Sequence, residues 1–174
     1  SSLIIGSYAV NTDDPDKTHI VYDGKPVLTG TALKGAIHSR AEKIAKTLTY
    51  KDNQTKPEET KLKELEENLN KLFGWADPEN KSKTKYKSKF IIEESIIKNK
   101  DVESKVQSRI KVDRFTGGAM DGALFNSKPI WHKDEDISLK MKIKNACEWE
   151  VGLMLQVLKD LWNEDLRVGG EKNI

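Results

Sequence analysis

Residues 22–48 read YDGKPVLTGTALKGAIHSRAEKIAKTL. A short extended run, Lys25 to Leu28, meets a tight Thr29-Gly30-Thr31 turn, and a helix follows at once. Thr31 is the expected N-cap, because a threonine hydroxyl can accept from the free amides of a first helical turn. Leu33, Ala36, Ile37, Ile44 and Leu48 recur at the period of one buried helical face, while Lys34, His38, Arg40 and Lys43 fall elsewhere on the wheel. A glycine turn that opens a helix with Lys34 in its first turn favours an anion through free amides and the helix dipole. An ordinary strand-to-helix connection with a solvated lysine accounts for the same residues equally well.

Upstream, Leu3 to Val10 reads as a strand with a central glycine, and Asn11 to Lys17 as a polar, acidic loop holding Asp13, Asp14 and Asp16. Ile20 to Tyr22 is a short strand, joined to Lys25–Leu28 by the hairpin signal Asp23-Gly24. Downstream, a second helix from Pro57 sets Leu62, Leu65, Leu69, Leu72 and Phe73 on one face and stops at Gly74. Lys81, Lys83, Lys85, Lys87 and Lys89 then alternate strictly, so an extended chain would point all five to one side; a solvated loop explains them too. Phe90 to Ile97 reads as a buried strand.

Gln107 to Arg114 alternates, with Ile110 and Val112 on one face and Arg109, Lys111 and Asp113 on the other. Phe115 to Phe125 is rich in glycine yet flanked by apolar residues, which indicates an ordered turn, and Leu124 to Trp131 is another strand. Ile137 to Lys144 is the cleanest strand pattern: Ile137, Leu139, Met141 and Ile143 inward, Ser138, Lys140, Lys142 and Lys144 outward. Such a lysine-bearing face can bind a polyanion or simply be wet. A last helix spans about Glu148 to Trp162. This order predicts an α+β fold of the ferredoxin-like, or modified RNA-recognition-motif, plan, with helices on one face of an antiparallel sheet plus loop and hairpin insertions.

At 174 residues and 36% hydrophobic, the chain is sized for one core, and a single domain over 1–174 is expected, with a helical, lysine-rich insertion at about 49–89. The net charge of +2 hides a 33% charged content, so the placement of charge matters more than its sum. One cysteine, Cys147, excludes a disulfide framework and a cysteine-cluster zinc site. No apolar run approaches the ~18 residues of a membrane span, and no signal-peptide pattern precedes Leu3. A cytoplasmic location without membrane contact is the expectation.

His19, His38 and His132 are scattered without metal-ligand spacing, and each fits a structural role better. Asp13, Asp14 and Asp16 could hold a hydrated magnesium ion beside a phosphate, or form an acidic turn kept soluble by its charge. The basic residues share a placement at glycine turns: Gly30 with Lys34, Arg114 with Gly117 and Gly118, and Arg167 with Gly169, Gly170 and Lys172. Glycine lets a backbone approach phosphate closely, and Arg or Lys neutralises it. Three such turns point to RNA or another extended polyanion.

Pro26-Val27-Leu28-Thr29-Gly30-Thr31-Ala32-Leu33-Lys34-Gly35-Ala36 resembles the glycine signature of RAMP proteins, the repeat-associated proteins of CRISPR effector complexes. Arg109 to Ala119, followed by Gly122-Ala123-Leu124-Phe125, is similar to the second signature of backbone subunits in type III complexes. Arg167-Val168-Gly169-Gly170-Glu171-Lys172 resembles the start of their glycine-rich loop, and Leu72-Phe73-Gly74 also sits where that family often has it.

The resemblance implies a fold that polymerises along a guide RNA, with neighbouring RAMP subunits, other effector-complex subunits and target RNA as partners. A protruding hairpin would displace guide bases. Gly30, Thr31, Lys34 and Arg40 would face guide phosphates, Arg109, Arg114, Thr116, Gly117 and Gly118 would lie near the hairpin base, and Arg167, Gly169, Gly170 and Lys172 would contribute the third turn. Catalytic members cut target RNA with an aspartate in the loop after the first strand, here Asp16, Asp14 or Asp13, with Mg2+ held by Asp14 and Asp16. The family's aspartate position aligns near Lys17, so Asp16 matches with a one-residue shift. The glycine loop is expected to run into further glycines and a last strand, which points to a truncated chain, a segment of a fused subunit, or a partner completing the sheet. A non-catalytic RAMP subunit (a cap or inactive repeat) and a stand-alone RNA-binding domain remain the alternatives.

Overall fold

In the computed structural model, Asp23 and Gly24 both take positive φ, 48° and 70°. That is the conformation of the two-residue turns whose twist suits a hairpin. They join β4 (Val21–Tyr22) to β5 (Lys25–Leu28), with Tyr22 opposite Lys25. The structure describes residues 2–8, 14–52, 59–76, 85–97, 102–132 and 137–169. Its remaining elements are β1 (Ser2–Leu3), β2 (Gly6–Tyr8), β3 (Lys17–His19), α1 (Gly30–Asp52), α2 (Glu59–Phe73), β6 (Phe90–Ile92), β7 (Ser95–Ile96), β8 (Val102–Ser104), β9 (Gln107–Val112), β10 (Ala119–Lys128), β11 (Ile130–His132), β12 (Met141–Ile143) and α3 (Glu148–Trp162). Among the described residues, three helices and mainly antiparallel sheets make the expected α+β fold.

The chain divides into two compact units. Unit 1 comprises Ser1–Ala32, Glu94–Ser138 and Val168–Ile174. Its sheets run β1-β11-β8, β2-β3-β10-β9 and β4-β5-β7, and the β3–β10 pair is parallel. Leu3, Ile4, Ile5, Val27, Leu28, Ile97 and Ile130 are buried there. Unit 2 comprises Leu33–Glu93 and Leu139–Arg167. It packs Ile37, Ala41 and Ala45 of α1, Leu69, Leu72 and Phe73 of α2, Phe90 of β6, and Leu153, Met154 and Val157 of α3 into one apolar core. The β6–β12 pair lies in this unit.

Three expected strands break where the chain changes partner. Leu3–Val10 becomes β1, which pairs with β11, and β2, which pairs with β3; the buried Ile4 and Ile5 lie between them. Ala9 and Val10 lie outside the described residues. Phe90–Ile97 splits into β6, paired with β12, and β7, paired with β5. Leu124–Trp131 is interrupted at Pro129, whose ring nitrogen cannot donate to a ladder. Of Ile137–Lys144 only Met141–Ile143 is strand, although burial alternates throughout as expected.

The helix starts are set by side chains. Thr29, not Thr31, caps α1: its Oγ1 accepts from the Ala32 amide at 3.4 Å, and Thr31 already lies inside the helix. Pro57 lies outside the described residues, but α2 ends as expected at Gly74, with φ of 84°. A Cβ there would sit 3.0 Å from the Ser88 nitrogen. At α3, the Glu150 carboxylate accepts from the Cys147 amide at 2.8 Å, the returning half of a capping box.

Candidate nucleic-acid interface

The second glycine signature builds the β9–β10 hairpin. Asp113 anchors its turn: Oδ1 accepts from the Phe115 amide at 2.7 Å and the Thr116 amide at 3.4 Å, and the Asp113 carbonyl accepts from Gly117. The Gly118 amide donates to Thr116 Oγ1 at 3.2 Å, and the Asp113 amide donates to the Gly118 carbonyl at 2.9 Å. Gly117 takes φ of 66°, so a side chain there would be strained. This closed set of bonds leaves Arg114 exposed and the Phe115 ring 100% exposed at the tip. Arg109 to Gly118 thus forms one strand and the tip of the hairpin, not its base.

Arg109 lies midway along β9, opposite Phe125, and donates to Gln107 Oε1 at 3.0 Å. Ile110 and Val112 are not core residues. They stay about half exposed, because β10 pairs with β3 only at Ser127 and Lys128, leaving the rest of the hairpin without a third strand among the described residues. Ala119 opposes Val112 and Leu124 opposes Ile110, so four residues of β10 face Lys111 alone. Gly122, at φ of 67°, lies within this bulge.

The first signature is partly used for folding. Gly30 is the first residue of α1 and Thr31 is exposed. Lys34 turns to donate to Ser88 Oγ at 2.7 Å, and that hydroxyl in turn donates to the Phe90 carbonyl at 2.6 Å. Partial burial lowers the Lys34 pKa. Arg40 meets Asp160 of α3 at 2.6 Å, and Asp160 is itself buried. Lys34 and Arg40, expected on phosphates, are therefore held within unit 2. Arg167 is exposed. Gly169 takes φ of 106°, and a Cβ would meet Leu3 Cδ1 at 3.1 Å and the Ile4 carbonyl at 3.2 Å, so close packing already requires glycine there. Gly170 and Lys172 lie outside the described residues.

The family model of the RAMP superfamily matches residues 1–174. The chain belongs to the RAMP superfamily. A solved structure described as a "Type IV-B CRISPR Complex" contains a chain of like fold, with a TM-score of 0.54 and 17% identity over 98% of this chain and 80% of that one. No curated protein matches.

Within this RAMP fold the acidic loop is described from Asp14 onward. Asp16 Oδ2 accepts from the Asn126 amide of β10 at 2.7 Å, tying the loop to the sheet. Asp14 is exposed, and Asp13 lies outside the described residues. Among the described residues no three His, Cys, Asp or Glu side chains gather as metal ligands. Asp14 and Asp16 by themselves do not make up such a set. No described helix is long and apolar enough to cross a membrane.

Neither Asp113 nor Phe115 stands out in the sequence as a candidate contact. An aromatic beside Arg114 and just before a glycine pair was the available signal, since it places a flat ring at a turn tip.

Proposed function

We propose that this chain is a guide-RNA-binding backbone subunit of a CRISPR effector complex. The observation that carries this reading is the β9–β10 hairpin of a RAMP fold: a turn locked by Asp113 that presents Arg114 and the bare Phe115 ring together. A guanidinium beside an exposed aromatic suits a phosphate next to an unstacked base. The likeness to a chain of a type IV-B complex supports the CRISPR setting. The order of the three glycine signatures favours a type III assembly, with guide RNA, target RNA and neighbouring RAMP subunits as partners and the cytoplasm as its place.

Sequencing the RNA that co-purifies with the chain tests this. RNA with uniform, repeat-derived ends is expected. Heterogeneous host RNA, or none, overturns the CRISPR assignment. The finer part of this reading is target-RNA cleavage through the acidic loop: Asp14→Ala and Asp16→Ala in the assembled complex are expected to reduce target cutting at this subunit. Unchanged cutting in both variants would leave the chain a binding subunit without a cleavage role.

A further inference from the structure

Unit 2 carries a second basic surface, built from residues outside the three glycine turns. In the β6–β12 pair, Met141 opposes Ile92, Lys142 opposes Ile91 and Ile143 opposes Phe90. Two backbone bonds extend the ladder: Glu93 N–H to the Lys140 carbonyl and Lys144 N–H to the Lys89 carbonyl, each 3.0 Å. Phe90 is buried and Ile92, Met141 and Ile143 pack against the core. Opposed residues of an antiparallel pair share a face, so Lys140, Lys142 and Lys144 all stand on the outer side. The chain entering β6 keeps the same alternation: Tyr86 and Ser88 are partly buried, while Lys85 and Lys87 are exposed.

Lys140, Lys142 and Lys144 therefore share one face at a spacing of about 6.8 Å, and the exposed Lys85 and Lys87 lie on the chain that leads into β6. Little opposes their charge. Lys89 is held by Glu150, and Glu93 reaches Lys140 only at 3.9 Å with both side chains mostly in water. Lys85, Lys87, Lys142 and Lys144 make no ion pair among the described residues. Like charges spaced this way on an exposed face repel only weakly through water, and a polyanion lying across them would neutralise them together.

We propose that the outer face of β6–β12 binds the phosphate backbone of an RNA strand, with Lys87, Lys142 and Lys144 making the contacts. This rests on the RNA-binding reading and assigns a second track to it. Among the described residues, the outward positions of β6–β12 are Ile91, Glu93, Lys140, Lys142 and Lys144, none with an aromatic ring or an amide to read bases. Binding on this face is therefore independent of RNA sequence and steeply dependent on salt.

The test is poly(U) binding to the full chain across a salt series. Replacing Lys87, Lys142 and Lys144 together by Gln is expected to flatten the slope of log affinity against log salt by about 2, at ~0.7 per lost contact. The corresponding Arg triple variant is expected to restore the slope, which separates loss of charge from damage to the fold. If the wild-type chain binds poly(U) and the Gln variant keeps its slope, this inference is overturned while RNA binding stands. If the wild type shows no salt-dependent RNA binding, both readings fall. Equal binding of poly-glutamate, with the same loss in the variant, would reassign the face to an acidic protein.

Discussion

Removing the Glu150 carboxylate would leave the Lys89 ammonium half-buried without the two 2.7 Å contacts it now has, and the Cys147 amide without an acceptor. Glu150→Ala is expected to cost about 3 kcal/mol in urea unfolding, the lower end for a broken buried pair because Lys89 keeps some water contact. His19 responds to pH in a defined direction. Its Nδ1 accepts from the Ile5 amide at 3.0 Å, and burial lowers its pKa from 6.5, with the Val27 backbone opposing part of that shift. The unfolded chain therefore takes up the proton first as pH falls. The stability due to neutral His19 is complete above pH 6.5 and is lost as pH drops from there through the lowered folded value. Unfolding midpoints measured down that window should decline, and His19→Gln should flatten the decline. Neither role was legible in the sequence: a lone histidine and a helix-start glutamate carry no sign of which partners the fold will bring to them.

Elements were legible where local chemistry decides them. The Asp23-Gly24 turn, the stop of α2 at Gly74 and the extent of α3 follow from backbone freedom and apolar period alone. Strand ends were not, because a strand ends where its pairing partner changes, and partners are distant in sequence. The hairpin illustrates the limit. Alternation in β9 puts Ile110 and Val112 on one face, but alternation only separates two faces and cannot say which one is covered; here both stay about half exposed. At Gly74, an alanine would combine positive φ with a 3.0 Å approach to the Ser88 nitrogen. Gly74→Ala is expected to destabilise by about 1–3 kcal/mol, measured by thermal or urea unfolding, with the loss felt first where α2 meets residues 86–89.

For the whole molecule, the glycine signatures located the family without revealing what each residue does. The same Gly-plus-base pattern serves three ends here: a turn locked by Asp113, a close approach of Gly169 to Leu3, and a helix start whose Lys34 and Arg40 turn inward. A one-dimensional motif cannot separate packing from ligand contact, because both ask for a missing side chain. The hairpin tip is where the two separate. Phe115→Ala touches no packed neighbour, so the melting temperature should hold while RNA affinity falls about 5- to 150-fold, the loss of ~1–3 kcal/mol of base stacking.

The bulge between Ala119 and Leu124 bears on chain length. In a regular hairpin, adding or deleting one residue turns every later side chain to the opposite face. Here four residues of β10 already stand against Lys111, so the ladder at Ala119–Val112 and the ladder from Leu124–Ile110 onward are registered independently. A deletion among residues 120–123 should leave the Ser108–Asn126 hydrogen bond of 2.7 Å in place, as cross-strand NMR contacts would report. The slack works as an expansion joint: insertions or deletions there change the size of the bulge without re-registering the β9–β10 ladder below it.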